Sequence, residues 1–132
     1  MTPHDLAEIL LRKARDDAHA MQALGEDPQA ADWVVAFHGQ QAVEKSLKAI
    51  LTALGVRYGR THDVGELLGM LAEGGVELPP WIDDAKALTP FGALFRYADL
   101  DITRSVDRTE TVALVQRVIV WAAGQVQEVG AG

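Results

Sequence analysis

The chain has 132 residues, of which 48% are hydrophobic, and this is enough apolar material for the core of one domain. We therefore expect a single domain over residues 1–132, ordered from about residue 3 to residue 128. Cysteine is absent, which excludes disulfides, thiolate metal sites and cysteine nucleophiles. The formal net charge of −7 argues against broad electrostatic capture of nucleic acid.

The sequence also lacks the features of a secreted or membrane protein. Its N-terminus has no basic region followed by an apolar core, and no apolar run reaches the roughly 18 residues that span a bilayer. Together with the lack of cysteine, this predicts a cytoplasmic protein without a membrane segment.

The first predicted helix begins at the N-terminus. Thr2 is a candidate N-cap, Pro3 suits the first helical position, and Asp5 places an acid in the first turn. Helical spacing then continues to Gly25. The residues that follow this spacing are Leu6, Leu10, Lys13, Ala14, Asp17, Ala18, Met21 and Leu24.

The second predicted helix begins between Gln29 and Trp33, with Asp32 as a candidate cap, and ends at Gly55. Its apolar residues surround most of the circumference, so we expect it to be central and packed on more than one side. This apolar surface, together with Trp81, Phe91 and Phe95, exceeds what a four-helix bundle usually covers. It predicts a homodimer built along this helix and its neighbours.

The second half of the chain is predicted to hold shorter helices and one long one. Thr61, His62 or Asp63 caps a third helix that ends at Gly74, and Pro79 with Pro80 opens another segment. Asp107 and Glu110 form a capping box for the last helix. That helix is predicted to bury Ala113, Val115, Val118, Ile119, Ala122 and Val126. Because no strand pattern occurs, we predict an all-α up-and-down bundle of four to five helices.

A polar stripe interrupts the apolar surface of the second helix. Its members are His38, Gln41, Glu44, Lys45 and Lys48. One interpretation is a solvated or intersubunit edge whose charges neutralise one another. The other is a polar groove in which Gln41, Lys45 and Lys48 donate to an anion such as a nucleotide phosphate. The sequence leaves both open.

The loop after this helix carries Arg57, Arg60 and the turn Thr61, His62, Asp63. The two arginines serve loop solubility, or they form a basic patch with Lys45 and Lys48 if the loop folds back over the helix. His62 has two interpretations as well. It either fixes the loop by a local hydrogen bond beside the cap, or it lies next to the lysines of the polar stripe.

Two other kinds of site find no support in the sequence. The four histidines show no paired spacing with carboxylates of the kind that metal-binding helices use. No strained nucleophile turn of the G-x-S-x-G type is present. We therefore expect neither a metal, nor another cofactor, nor a serine hydrolase.

The stretch FHGQQAVEKSLKAIL, residues 37–51, followed by RTHDVGELL, residues 60–68, resembles the signature of the HEPN family. HEPN stands for "higher eukaryotes and prokaryotes nucleotide-binding". The family pattern continues with a Thr-His-Asp turn, here Thr61 to Asp63, and an R-Y-x-D segment, here Arg96, Tyr97 and Asp99. The similarity runs in order over nearly the whole chain.

The resemblance implies a stand-alone HEPN protein of a branch that often pairs with a small nucleotidyltransferase in a toxin–antitoxin-like system. It implies a non-catalytic or weakly active module that forms a homodimer and is associated with a nucleotide or nucleic acid. The ligand-binding residues it suggests are His38, Gln41, Glu44, Lys45, Lys48, His62, Asp63, Arg96, Tyr97 and Asp99.

The alternative that the resemblance implies is a metal-independent ribonuclease toxin. Many family members use an R-x4-6-H motif near the start of the last helices, where Arg steadies a phosphate and His moves a proton. The segment from Arg96 to Arg108 contains no histidine. Matches occur elsewhere, at Arg57 with His62 and at Arg12 with His19, and the first pair supplies the weak catalytic candidates.

Overall fold

The computed structural model describes residues 1–92 and 106–131, which form four α-helices and one 3₁₀ helix. The elements are α1 (Pro3–Gly25), α2 (Asp32–Leu54), α3 (Val64–Glu73), the 3₁₀ helix (Pro80–Phe91) and α4 (Arg108–Ala131). These two ranges contain no strand, and the prediction of an all-α helical bundle is confirmed. None of the helices described combines the length and the apolar character needed to cross a membrane.

The start of α1 is fixed by the predicted cap. The backbone N–H of Asp5 donates to Thr2 Oγ1 at 3.1 Å, and the backbone N–H of Thr2 donates to Asp5 Oδ2 at 2.8 Å. These reciprocal bonds are a capping box, and they satisfy two donors that the first helical turn would otherwise leave to water.

This cap should make the stability of α1 depend on pH. The backbone hydrogen bond from Thr2, followed by the bond with its side chain, lowers the pKa of Asp5 below its ordinary value. A carboxyl whose folded pKa is lowered stabilises the folded state above its unfolded pKa, and this contribution is lost as the pH falls through the folded pKa. NMR titration of Asp5 should give a lowered midpoint, and Thr2→Ala should raise it part of the way. A midpoint that Thr2→Ala leaves unchanged would contradict the role of the box.

Three further helix ends lie where the sequence predicts them, although only one of the two bonds of the predicted Asp107–Glu110 capping box is found in the described part of the chain. Gly55 ends α2 with a positive φ of 74°, a conformation that glycine adopts without steric cost. Asp63 is the N-cap of α3, where its Oδ1 accepts from the N–H of Glu66 at 3.2 Å. Before α4, Asp107 Oδ1 accepts from the N–H of Glu110 at 3.0 Å. Side-chain caps therefore set these boundaries where local sequence predicted them.

Helix α2 is the centre of the bundle, as predicted. None of its residues is exposed, and it contacts α1, α3, α4 and the 3₁₀ helix. The neighbouring helices approach α2 closely at Gly39, where an added Cβ would lie 3.2 Å from both Met21 Sδ and Val115 Cγ2. Much of the apolar surface of α2 that suggested a dimer is therefore covered within one chain.

The spacing predicted for α1 and the burial predicted for α4 agree in part with the buried faces of these helices. On α1 the buried stripe is Ala7, Leu11, Ala14, Ala18 and Met21, whereas Leu6 is 44% exposed. Because apolar residues occupy both registers of this helix, spacing alone does not fix its rotation about its axis. On α4 the predicted buried residues are confirmed except for Ala113, which is exposed.

Arg108, the first residue of α4, ties that helix to the connection between α1 and α2. Its Nε donates to Asp32 Oδ1 at 2.7 Å. Its Nη atoms donate to backbone carbonyls at the end of α1 and in the connection, namely those of Leu24, Gly25, Asp27 and Ala30. Asp32 was predicted to cap α2, but Ala31 is the N-cap and the Asp32 carboxylate instead pairs with Arg108.

Candidate functional site

The polar stripe on α2 contributes to two separate groups of side chains, each centred on a carboxylate. We call the first the Glu44 cluster. It comprises Glu44, Gln40, Gln41, Lys48 and His62. We call the second the Asp17 cluster. It comprises Asp17, His38 and Lys45.

Glu44 is a buried carboxylate with three side-chain donors around it. Its side chain is 7% exposed. Oε1 lies 2.8 Å from His62 Nδ1 and accepts from Gln40 Nε2 at 3.1 Å, while Oε2 accepts from Lys48 Nζ at 3.1 Å. A buried charge is costly without partners, so these bonds explain how a glutamate is accommodated inside the bundle.

Gln40 connects this carboxylate to the loop that precedes α3. It is fully buried, and its Nε2 also donates to the backbone carbonyl of His62 at 3.2 Å. Its Oε1 accepts from Gln41 Nε2 at 2.7 Å. An added Cβ at Gly92 would lie 2.9 Å from the Gln40 amide, so a larger residue there would displace this amide. The amide is therefore held on several sides in one orientation.

The Asp17 cluster joins α1 to α2. His38 Nδ1 lies 3.3 Å from Asp17 Oδ1, and Lys45 Nζ donates to Asp17 Oδ2. The Asp17 side chain is 16% exposed, and those of His38 and Lys45 are each 28% exposed. Asp17 thus neutralises a lysine that sequence analysis treated as a candidate donor to an anion.

His62 is the most accessible of these charged groups. Its side chain is 51% exposed although its Nδ1 lies against buried Glu44. An ionised carboxylate accepts hydrogen bonds, which assigns the proton to Nδ1 and leaves Nε2 as the acceptor nitrogen of the ring. A carboxylate that orients an imidazole in this way is an arrangement found in acid–base sites.

The loop from residue 56 to residue 62 folds back over α2, but it does not form the basic patch considered above. Lys48 Nζ lies 5.3 Å from the centroid of the Tyr58 ring. Lys45 and Lys48 are both paired with carboxylates, so their charges do not add freely to those of Arg57 and Arg60. Both arginines are exposed, which fits their interpretation as solubilising loop residues.

The remaining predicted residues are divided between other roles and other parts of the chain. Asp63 is exposed and caps α3, and it has no hydrogen bond to either cluster within the described ranges. Arg57 likewise forms no hydrogen bond or ion pair with a described residue. Arg96, Tyr97 and Asp99 lie outside the described residues.

Sequence analysis missed Asp17 and Gln40 as members of the site. For Asp17 a signal was present, because an acid lies among the buried residues Ala14, Ala18 and Met21 of the same helix. For Gln40 the signal was its position four residues before Glu44, which places the two side chains together on a helix.

No group of three or more His, Cys, Asp or Glu side chains able to hold a metal ion is found in residues 1–92 and 106–131. The clusters instead place one lysine and one histidine against each carboxylate. Chemically, the site can donate from Lys and Gln and can exchange a proton at His62.

Comparison with known proteins relates the sequence and the fold of this chain to a family. The model of the HEPN domain matches residues 7–126. The fold is similar to the crystal structure of an archaeal HEPN homologue, with a TM-score of 0.69 and 21% identity, covering 91% of this chain and 97% of that one. No match was found among the curated proteins. Because the family model covers nearly the whole chain, this protein belongs to the HEPN family.

Proposed function

We propose that this HEPN protein is a non-catalytic or weakly active module that is associated with a nucleotide or nucleic acid. The observation that carries this proposal is the internal pairing of both clusters, in which Asp17 and Glu44 hold the lysines and histidines of the polar stripe. Such a site retains unused N–H groups on Lys45, Lys48 and Gln41 for a ligand, but no arginine pairs with its histidines within the described residues. The segment from Arg96 to Arg108 has no histidine to supply one.

Nucleotide binding is tested by calorimetric titration with ribonucleoside triphosphates and with short single-stranded RNA. We expect binding that is weakened in His62→Ala, because this substitution removes the accessible imidazole of the Glu44 cluster. His19→Ala is the matched control, since His19 is an exposed histidine on α1 that belongs to neither cluster. If the wild type binds none of these ligands, the proposed function is wrong.

The proposal includes a small nucleotidyltransferase as partner and a homodimer as the working form. Because no residue of α2 is fully exposed, we expect part of the apolar contribution to the dimer to come from the neighbouring helices. Val120 is 74% exposed on α4, beside a groove that Ala18 and His19 also line. An exposed apolar side chain at a groove is a favourable point for a second copy to contact.

Light scattering at tens of micromolar should therefore give twice the monomer mass of 14.3 kDa. Val120→Glu should shift the population towards the monomer, because it places a charge in the interface. Thr109→Glu changes an exposed residue at the start of the same helix and serves as the control. A wild-type mass of one chain would remove the dimer from the proposal.

A ribonuclease is the second candidate, and the geometry of His62 favours it. The imidazole is half exposed, and Glu44 lies 2.8 Å from its Nδ1. This arrangement is suited to a general base that activates a ribose hydroxyl. Arg57, in the same loop, would supply the phosphate contact. Cleavage of RNA in the presence of a chelator that is lost in His62→Ala and kept in His19→Ala would support this candidate. Cleavage that survives both substitutions would exclude His62 as the base.

A further inference from the structure

A groove opens between the second half of α4 and the connection from α3 to the 3₁₀ helix. Its volume is about 560 Å³, within the range of protein ligand sites. Its walls come from Leu54, residues 74–80, Trp121, Gln125, Glu128 and Val129. No member of the Glu44 or Asp17 cluster lines it, so it is separate from the candidate site.

The floor of the groove is apolar. Leu54, Val76, Leu78 and Trp121 pack against the hydrophobic core while each remains partly exposed. Val129 is also half-buried at one end. A tryptophan among aliphatic side chains is the kind of anchor that supplies much of the binding energy in protein interfaces. The floor is therefore suited to a single apolar side chain from a partner.

One edge of the groove is backbone that belongs to no helix, at residues 76–79. The N–H groups of Glu77 and Leu78 donate to no other residue within the described ranges. A backbone N–H of this kind can donate to a carbonyl of a bound peptide.

The charge of the groove is of one sign. Glu77 and Glu128 are exposed at its rim, and the part of the chain that the structure describes contributes no Lys, Arg or His to its lining. Interfaces are selected by complementary charge, so the matching occupant is cationic. A second copy of this acidic chain would bring further negative charge and fits less well.

We propose that this groove binds an extended basic segment of a partner protein, in which an apolar residue lies between arginines or lysines. The apolar side chain packs on Trp121, a backbone carbonyl of the peptide accepts from the N–H of Glu77 or of Leu78, and the cations of the peptide pair with Glu77 and Glu128. This surface is distinct from the nucleotide site and does not depend on it.

The probes are two fluorescein-labelled peptides that share a Val-Leu-Val centre and carry either arginines or glutamates on both sides. Fluorescence anisotropy should show about tenfold tighter binding of the arginine peptide, as expected for two exposed ion pairs. The double variant Glu77→Lys/Glu128→Lys should reverse this preference. The control variant Asp16→Lys/Asp84→Lys changes the net charge equally at exposed positions outside the groove, and it should keep the wild-type preference.

NMR locates the bound peptide directly. The arginine peptide should shift the indole N–H signal of Trp121, which Trp121→Phe identifies, and should leave those of Trp33 and Trp81 in place. Equal affinity for both peptides, binding of neither, or an equal loss of preference in the control variant would overturn the proposal. The proposal would also be overturned if the wild type self-associated and Glu77→Lys/Glu128→Lys abolished this self-association. The occupant of the groove would then be a second copy of this chain.

Discussion

Arg108→Ala should lower the free energy of unfolding by about 3 kcal/mol, because it removes a charge-assisted bond to Asp32 and leaves several carbonyls without their donor. For a chain of this size, the midpoint of thermal unfolding should fall by about 10 °C. The effect has a clear structural cause. One guanidinium group donates to carbonyls both at the end of α1 and in the connection that leads into α2.

Arg108→Lys separates the charge of this side chain from its shape. Lysine can still pair with Asp32, but it lacks the planar fork that reaches several carbonyls at once, so it should recover only part of the loss. Arg57→Ala, at an exposed arginine in a loop, should change stability by less than about 0.5 kcal/mol. Chemical denaturation of the four proteins measures these differences. An Arg108→Ala variant as stable as Arg57→Ala would show that the observed bonds contribute nothing.

Glu44→Ala should be at least as destabilising, at about 3–5 kcal/mol, because it leaves partly buried Lys48 without its counter-charge and removes one of the two acceptors of the Gln40 amide. The loop should loosen as well, since His62 loses the carboxylate that orients it. The NMR signals of His62 should therefore broaden or shift towards those of a solvated imidazole. Denaturation and NMR of the same sample test both effects.

Two further variants show which part of the Glu44 effect is electrostatic. The double variant Glu44→Gln/Lys48→Met removes both charges and should be milder than Glu44→Ala, because no unpaired buried ion remains. Glu73→Ala, at the exposed end of α3, should be nearly neutral and serves as the surface control. If Glu44→Ala resembled Glu73→Ala, the buried carboxylate would not be stabilising the bundle.

The parts of the fold that sequence predicts well are those fixed by near neighbours in the chain. Thr2 with Asp5, Asp63 with Glu66, and the left-handed Gly55 each act within one turn of helix, so their residue types suffice to place a boundary. Asp32 was misread because its partner, Arg108, lies 76 positions away. Local capping rules contain no information about such a contact.

The candidate site divides in the same way. The polar stripe of α2 follows from helical spacing, and its pairing of Glu44 with Lys48 is a contact between residues four apart. The contact of Lys45 with Asp17 crosses from α2 to α1. Asp17 follows the predicted spacing of α1, but this spacing does not specify which residue of α2 lies opposite it, so the pairing could not be assigned beforehand.

The enclosed position of α2 has a consequence for local opening of the bundle. Since every other described helix packs on α2, its amides can reach solvent only when those contacts are lost together. Amide hydrogens in the middle of α2 should therefore exchange through the global unfolding reaction. Those of α3 can exchange through smaller openings. This ten-residue helix can detach while the other helices remain packed on α2. The loop bearing His62 connects α2, whose amides should exchange slowly, to α3, whose amides should exchange faster. His62 itself contacts Glu44 on α2.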